Sequence, residues 1–402
     1  LNQQQRQKFL EMARILETQF YHPTLKGLNW RGLTERYAQL AMQTAESNAF
    51  NRVGRMLMGE LDGSHLGIGG GGGGFSAPSE RYGYLGVDVV AVPGGYRVER
   101  VLPGSPADAR STQLLPGDIL ISVNGNAFAP NAETLPNVDM VSAMIGTAGE
   151  QVLLELRRES KPEMQYMLIV PTSFGAISNL GYEDEVQRRR EMVDKLSDGK
   201  IGYLHIRGMS QPSVRDFERD LYAAAHGKVG LLIDVRDNGG GSTADILLAS
   251  LTAPVHAYTV PRGADKAEAA PVSYPRDRRL IHPYQRPISV LINQNSFSNA
   301  EIFAHAIKTI GRGKLVGTPT FGGVISTGAA SLIDGSSVRT PFRGWYLPDG
   351  TDMEENGAVP DINVPQLPQD EAAGRDAQLE AAVKELLERV ASTPEGIWKP
   401  GR

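Results

Sequence analysis

The chain has 402 residues, 41% of them hydrophobic and 22% charged, which is more than one small core requires and predicts roughly two or three domains. Its 41 Lys and Arg stand against 46 Asp and Glu, a formal charge of −5, so no basic face is implied and nucleic acid is not an expected partner. Without a single cysteine, a thiol nucleophile, disulfides and thiolate metal sites are excluded together, and no apolar run reaches the length of a membrane span.

The sequence starts at Leu1 with a polar stretch over 2–5 and no signal-like segment, which reads as a fragment or a processed form of something longer. Cysteine usage leaves the compartment open. The expectation is cytoplasmic, with a periplasmic or exported protein as the alternative if an upstream signal was removed.

Residues 3–61 are predicted helical. Phe9, Leu10, Ala13, Ile15 and Leu16 recur near a helical period, and a second pattern runs through Trp30, Leu33, Tyr37, Leu40 and Ala41. His22-Pro23 breaks the first helix. The glycine run 69–74 reads as a flexible connection that neither helix nor strand would tolerate. It lacks the Gly-Lys-Ser/Thr ending and the preceding strand of a phosphate loop.

Between 81 and 174 the pattern changes to short strands, predicted at 84–90, 96–101, 118–123, 151–157 and 165–170. Val101-Leu102-Pro103-Gly104-Ser105-Pro106-Ala107 is followed by Leu115-Pro116-Gly117-Asp118-Ile119-Leu120 and Val123-Asn124-Gly125. This order resembles the protease-associated PDZ domain. Tyr84-Leu85-Gly86-Val87 then falls on that family's carboxylate-binding loop, which implies Leu85, Gly86 and Val87 as chain-end binders. Successive N–H groups in a glycine-containing turn can clasp a terminal carboxylate beside an open strand edge. A small β-domain serving only as a spacer is the plainer alternative.

Beyond 180, a charged helix over 183–196 leads into near-continuous apolar strands at 201–206 and 229–235, as a sheet covered on both faces requires. A helix at 244–251, a strand at 288–292, a helix at 299–310 and a strand at 314–317 continue an α/β alternation. Residues 370–390 read as a terminal amphipathic helix.

Four clusters could carry chemistry. In Asn295-Ser296-Phe297-Ser298-Asn299-Ala300-Glu301 a strand hands over to a helix. A serine there can expose its hydroxyl above the sheet, beside the free N–H groups of the first turn. Such a serine is more often a cap than a nucleophile, and no Gly-x-Ser-x-Gly elbow occurs in the chain. Asp234-Val235-Arg236-Asp237-Asn238-Gly239-Gly240-Gly241-Ser242 lets backbone approach a substrate closely, or is simply a tight turn. Gly63-Ser64-His65 ends the helical segment, with a serine placed to orient an imidazole whose ordinary pKa suits a general base. Met353-Glu354-Glu355-Asn356-Gly357 carries carboxylates near a turn, where solvation alone is the usual explanation. No His-Glu-x-x-His occurs, so a metallopeptidase has no support.

Taken in order, Asp-x-Arg-x-Asn-Gly-Gly-Gly, Ser-x-Ser-x-Ala-Glu, Gly-Thr-x-Thr-Phe-Gly and Glu-x-x-Gly-x-x-Pro-Asp resemble the carboxy-terminal processing and tricorn group of serine peptidases. Processing peptidases carry a general-base lysine after Thr-Phe-Gly. Here that position is Gly323, whereas Ser64-His65 and Gly322-Gly323-Val324 match the tricorn branch.

For the fold, the resemblance implies an α/β catalytic core, a crotonase/Clp-protease-like mixed sheet with flanking helices, plus an N-terminal helical segment and a PDZ β-domain. The expected divisions are 1–66 helical, 67–80 linker, 81–174 PDZ, 175–368 peptidase core and 369–402 C-terminal helix and tail.

For chemistry, the resemblance implies Ser298 as nucleophile, His65 as base and then acid, Ser64 orienting His65, and Glu354 orienting Ser64. It implies Gly241 and Asn299 N–H groups as the oxyanion hole and Gly240 in substrate binding, with no cofactor and no metal. Asn299 stands where the tricorn branch usually has the aspartate linked to a preference for basic residues. Tricorn proteases also carry β-propellers ahead of these domains, which this sequence does not contain. Peptides or unfolded protein are the implied partners, and a homo-oligomer is left open. The alternative function is an inactive PDZ scaffold that captures peptides.

Overall fold

The computed structural model describes residues 2–70, 81–128, 138–253, 262–263 and 284–392. The chain separates into two compact units, Leu1–Gly73 with Arg190–Arg402, and Gly74–Arg189.

Three helices open the first unit: α1 (Asn2–Gln19), α2 (Trp30–Ala41) and α3 (Ser47–Gly59). α1 stops ahead of His22-Pro23, as the sequence predicts. α2 starts on Asn29, whose side chain accepts the Gly32 N–H at 3.1 Å. Phe9, Met12, Leu16, Trp30, Phe50 and Leu57 bury against Ile68, Leu332 and Val338, each large apolar side chain contributing roughly 1.5–3 kcal/mol.

Ile68 belongs to β1 (Gly67–Gly69), which corrects the expectation for the glycine run. The run's first residue, Gly69, is a strand residue facing Ser337. A ladder is made by backbone groups, and the register Gly67↔Arg339, Ile68↔Val338 needs only one apolar side chain inward. Residues 71–74 of the run lie outside the described residues.

In the second unit, β2 (Val87–Val92), β3 (Gly95–Val101), β4 (Ile119–Val123), β6 (Val152–Arg158) and β7 (Lys161–Ile169) pair antiparallel in that order, and β5 (Asn126–Ala127) pairs β4. A short helix, α4 (Val138–Ala143), was not read from the sequence. Tyr96, Leu120, Leu154 and Leu156 fill the interior. Among the described residues β2 is an edge strand, with β3 as its one neighbour. Helix α5 (Phe174–Leu196) begins well before the predicted 183.

The core returns to the first unit. β8 (Ile201–His205), β9 (Gly230–Asp234), β10 (Ile288–Ile292), β11 (Gly313–Gly317) and β14 (Ile362–Asn363) form a parallel sheet ordered β14-β11-β10-β9-β8. Every residue of β9 and β10 is buried, which explains their unbroken apolar runs. Helices α6 (Gln211–Ala225), α7 (Ala244–Thr252) and α8 (Asn299–Thr309) contribute to its core. α6 was missed, although Ser210 caps it and Val214, Phe217 and Leu221 face inward. An antiparallel hairpin, β12 (Ile325–Ser331) with β13 (Ser337–Gly344), joins β1 in a separate three-stranded sheet.

The predicted terminal helix is two helices, α9 (Pro368–Ala372) and α10 (Ala377–Ser392). Gly374, at φ 69°, separates them. Among the described residues, no helix is long and apolar enough to cross a membrane.

Candidate active site

Ligand sites in parallel α/β sheets form beyond the carboxyl ends of the strands. Here β9 and β10 end side by side and run into the glycine loop 239–241 and the serine loop 295–298. Asp234 and Arg236 anchor the first loop. Both are buried, and the guanidinium spans Asp234 at 2.7 Å and Asp376 at 2.9 Å. These paired carboxylates hold Arg236 well above its ordinary pKa against the opposing effect of burial. The pair serves architecture rather than chemistry. Asn238 accepts the Phe297 N–H at 3.0 Å through its backbone carbonyl, while Asn293 and Asn295 donate to Asp237. The two loops are thereby stitched together.

Gly240 shows why the stitching demands glycine. Its φ is +87°, and an added Cβ would sit 2.7 Å from both the Phe297 carbonyl oxygen and the Ser298 Cβ. Ser298 itself adopts φ 57°, ψ −118°, a costly backbone state for a non-glycine residue. It places the hydroxyl as a nucleophile elbow would, without that motif's flanking glycines.

His65, 233 residues earlier in sequence, lies with its Nε2 3.1 Å from Ser298 Oγ. Its Nδ1 is 2.6 Å from Ser64 Oγ. Glu354 grips Ser64 at two points, accepting its N–H at 2.6 Å and its hydroxyl at 2.9 Å, and it also accepts the Val324 N–H at 2.8 Å. One tautomer satisfies the whole chain: Ser298 donates to Nε2, Nδ1–H donates to Ser64, and Ser64 donates to Glu354. Burial pushes His65 down to about 4, with the Arg339 charge acting the same way. Burial also raises the Glu354 carboxyl, against the opposing hydrogen bonds from Ser64 and Val324. With 4% exposure, Glu354 is not the solvated turn carboxylate that its local sequence suggests.

Two further sets of backbone N–H groups were expected to bind, one in each unit. Among the described residues, the Gly241 and Asn299 N–H groups donate no hydrogen bond, and Asn299 N lies at the opening of α8, 3.0 Å from where a Gly240 Cβ would be. The Asn299 side chain is committed elsewhere, accepting the Ala244 N–H of α7 at 2.8 Å. In the second unit, the Leu85 and Gly86 N–H groups are likewise free among the described residues, and Val87 starts edge strand β2. Gly86 has φ +84° and lies where a Cβ would meet Ser105 Cβ at 2.2 Å.

Two contributors escaped the sequence reading. In the sequence Glu301 is only the last residue of a motif, yet its buried carboxylate accepts from Ser298, Thr320, Gly322 and Gly323. Its spacing from Ser298, three residues on at a helix start, is the capping signal that could have revealed it. Phe297 stacks on the His65 ring, and no local pattern announces that contact.

The chain is similar to known proteins along most of its length. Peptidase family S41 matches residues 200–364, the tricorn protease C1 domain matches 1–59, and the PDZ domain matches 75–157. Ser64 and His65 fall between the matched segments. Over 400 residues the chain is 33% identical to tricorn protease homolog 1 of Streptomyces coelicolor, covering 97% of this chain and 36% of that protein. It is 32% identical over 223 residues to the tricorn protease of Thermoplasma acidophilum, covering 54% of this chain and 19% of that protein. The crystal structure of the tricorn protease shares the fold, with a TM-score of 0.79 at 23% identity over 97% of this chain and 37% of that one. The chain thus spans about a third of the length of its Streptomyces relatives. Residues 200–364 thus carry a peptidase family S41 domain, with the C1 and PDZ matches ahead of it, and the chain is similar to tricorn proteases over nearly its whole length.

Proposed function

We propose that the chain hydrolyses peptide bonds of peptides or unfolded protein through Ser298, His65, Ser64 and Glu354. The observation carrying this is the 3.1 Å approach of His65 Nε2 to Ser298 Oγ, with Ser64 and Glu354 continuing the hydrogen-bonded line. Ser298 Oγ attacks the carbonyl carbon while its proton passes to His65 Nε2. The Gly241 and Asn299 N–H groups receive the developing oxyanion, each such donor worth about 10²–10³ in turnover. When the tetrahedral species collapses, the C–N bond breaks and His65 returns the proton to the departing amine. Water then repeats the sequence on the acyl-enzyme, with His65 as its base. Gly240 lines the approach to the scissile bond, and Leu85, Gly86 and Val87 receive a chain-terminal carboxylate as the peptide adds to edge strand β2.

The test is labelling by a serine-directed phosphonate. Wild type is expected to label, Ser298→Ala not at all, and His65→Ala slower by about 10²–10⁴. Folded wild-type protein that shows no Ser298-dependent labelling would favour the peptide-binding scaffold instead.

A further inference from the structure

His65 occupies a left-handed backbone position, φ 63°, on a loop between α3 and β1, and its one fixed hydrogen bond within that loop is to the neighbouring Ser64. A short serine tether leaves the ring free to swing about its own axis. Phe297, one residue before Ser298, removes that freedom. The two rings stack with centroids 4.6 Å apart and planes 16° from parallel. Phe297 is itself fixed, by its N–H on the Asn238 carbonyl at 3.0 Å and by the edge of Phe321, centroid to centroid 5.0 Å at 89°.

Gly323 supplies the space for this wall. A Cβ there would lie 2.4 Å from Phe297 Cε2 and 3.0 Å from Phe321 Cδ1. The backbone cannot retreat, because the Gly323 N–H is held on the buried Glu301 carboxylate at 2.9 Å. Any side chain at 323 must therefore push the Phe297 ring off its place against the imidazole.

We propose that Phe297 is a positioning residue for His65: it fixes the imidazole plane toward Ser298 and keeps water from one ring face, seated by the bare Gly323. This rests on His65 acting as the base of Ser298. Stacking of this kind favours one ring orientation by roughly twofold to tenfold beyond burial. Charged groups also stand on the elements around this loop. Arg339 on β13 acts on the ring directly and Glu354 reaches it through Ser64, while Asp62 lies on the same loop, Lys26 pairs with Glu355, and Glu301 on α8 holds the Ser298 N–H. None of them is altered by changing Phe297, so the shielding of one ring face can be read separately. That shielding is part of the burial that pushes His65 down to about 4.

The experiment compares Phe297→Ala, Phe297→Tyr and Gly323→Ala with wild type, following the His65 ring by NMR titration and kcat/KM against pH. The His65 resonance is identified by its loss in His65→Gln. In Phe297→Ala the His65 pKa is expected to rise by about one unit or more. The acid limb of kcat/KM should rise with it, and kcat should fall about tenfold with little change in KM. Phe297→Tyr should restore both readouts. Gly323→Ala, which displaces the ring without removing it, should move them in the direction of Phe297→Ala. Wild-type titration and kcat in folded Phe297→Ala, or in folded Gly323→Ala should the first variant not fold, would overturn the proposal. If the catalytic reading itself is wrong, His65→Ala labels at the wild-type rate. The ring titration still reports on Phe297 in that case.

Discussion

Glu301 reaches back one helical turn to Ser298, its Oε1 accepting that residue's backbone N–H at 3.0 Å. The same carboxylate accepts Gly322 N–H at 2.6 Å, Gly323 N–H at 2.9 Å and the Thr320 hydroxyl at 2.6 Å. One buried side chain thereby fastens the serine loop to the strand-exit loop that carries Gly323 and Val324. Replacing it strands several buried donors, each costing about 1–3 kcal/mol. Glu301→Ala should therefore lower unfolding stability by roughly 3 kcal/mol or more in urea titration. A loss below about 0.5 kcal/mol would mean that the donors find other partners.

The pH response follows from His65. Its pKa lies at about 4 in the folded chain against 6.5 for the free group, so the unfolded chain takes up the proton first as pH falls. Stability linked to the neutral ring is full above 6.5, is lost progressively toward 4 and falls no further below that. Buried His305, also lowered, adds in the same direction. Glu354, raised by burial, acts oppositely: its contribution is present at low pH and lost as pH rises through its folded pKa. The acid limb of kcat/KM should lie below 6.5 and descend toward 4. A limb at or above 6.5 would show the imidazole to be better solvated than its stacked position implies.

Ser64 and Glu354 should be separable by substitution. Glu354 also holds Val324, so Glu354→Ala disturbs both the His65 line and the strand-exit loop. Ser64→Ala removes the acceptor for Nδ1 and one donor to Glu354, but leaves the Ser64 and Val324 N–H groups on that carboxylate. Kinetics with a chromogenic peptide should rank the losses in kcat as His65→Ala, then Glu354→Ala, then Ser64→Ala, with the first about 10²–10⁴ and the last about tenfold. Equal losses for Ser64→Ala and His65→Ala would make Ser64 a direct participant rather than an orienting group.

In the second unit, Gly86→Ala places a methyl against Ser105 at a left-handed φ of +84°. Binding of a peptide with a free C-terminus, measured by fluorescence anisotropy, should weaken by about tenfold or more. Amidating the peptide should weaken binding to wild type comparably. Equal binding of free and amidated peptides would move recognition away from the Leu85–Gly86 amides.

Local patterns went far because much of this fold is locally encoded. The apolar runs of β9 and β10, the proline after α1 and the strand-turn rhythm of 81–174 are each consequences of short-range chemistry. α6 carries a cap and an inward face that local signals do display, and the terminal helix divides at Gly374, whose left-handed φ of 69° breaks an otherwise continuous helical pattern. The strand at Gly67–Gly69 could not be read from glycines, since its partner β13 lies far downstream.

By itself, the order of residues determined the α/β class, the strand-rich segment, the glycine loop, the serine at a helix start and the histidine beside a serine, because each depends on neighbours within a few positions, whereas the PDZ class rested on resemblance. Only the tertiary structure decided that His65 reaches Ser298, that Glu354 is buried on Ser64, and that Phe297 lies against the imidazole. Those contacts span up to 290 residues and exist because β1 pairs with β13 and the helical segment packs on the same sheet. Separations of that size are set by long-range packing, on which local periodicity is silent.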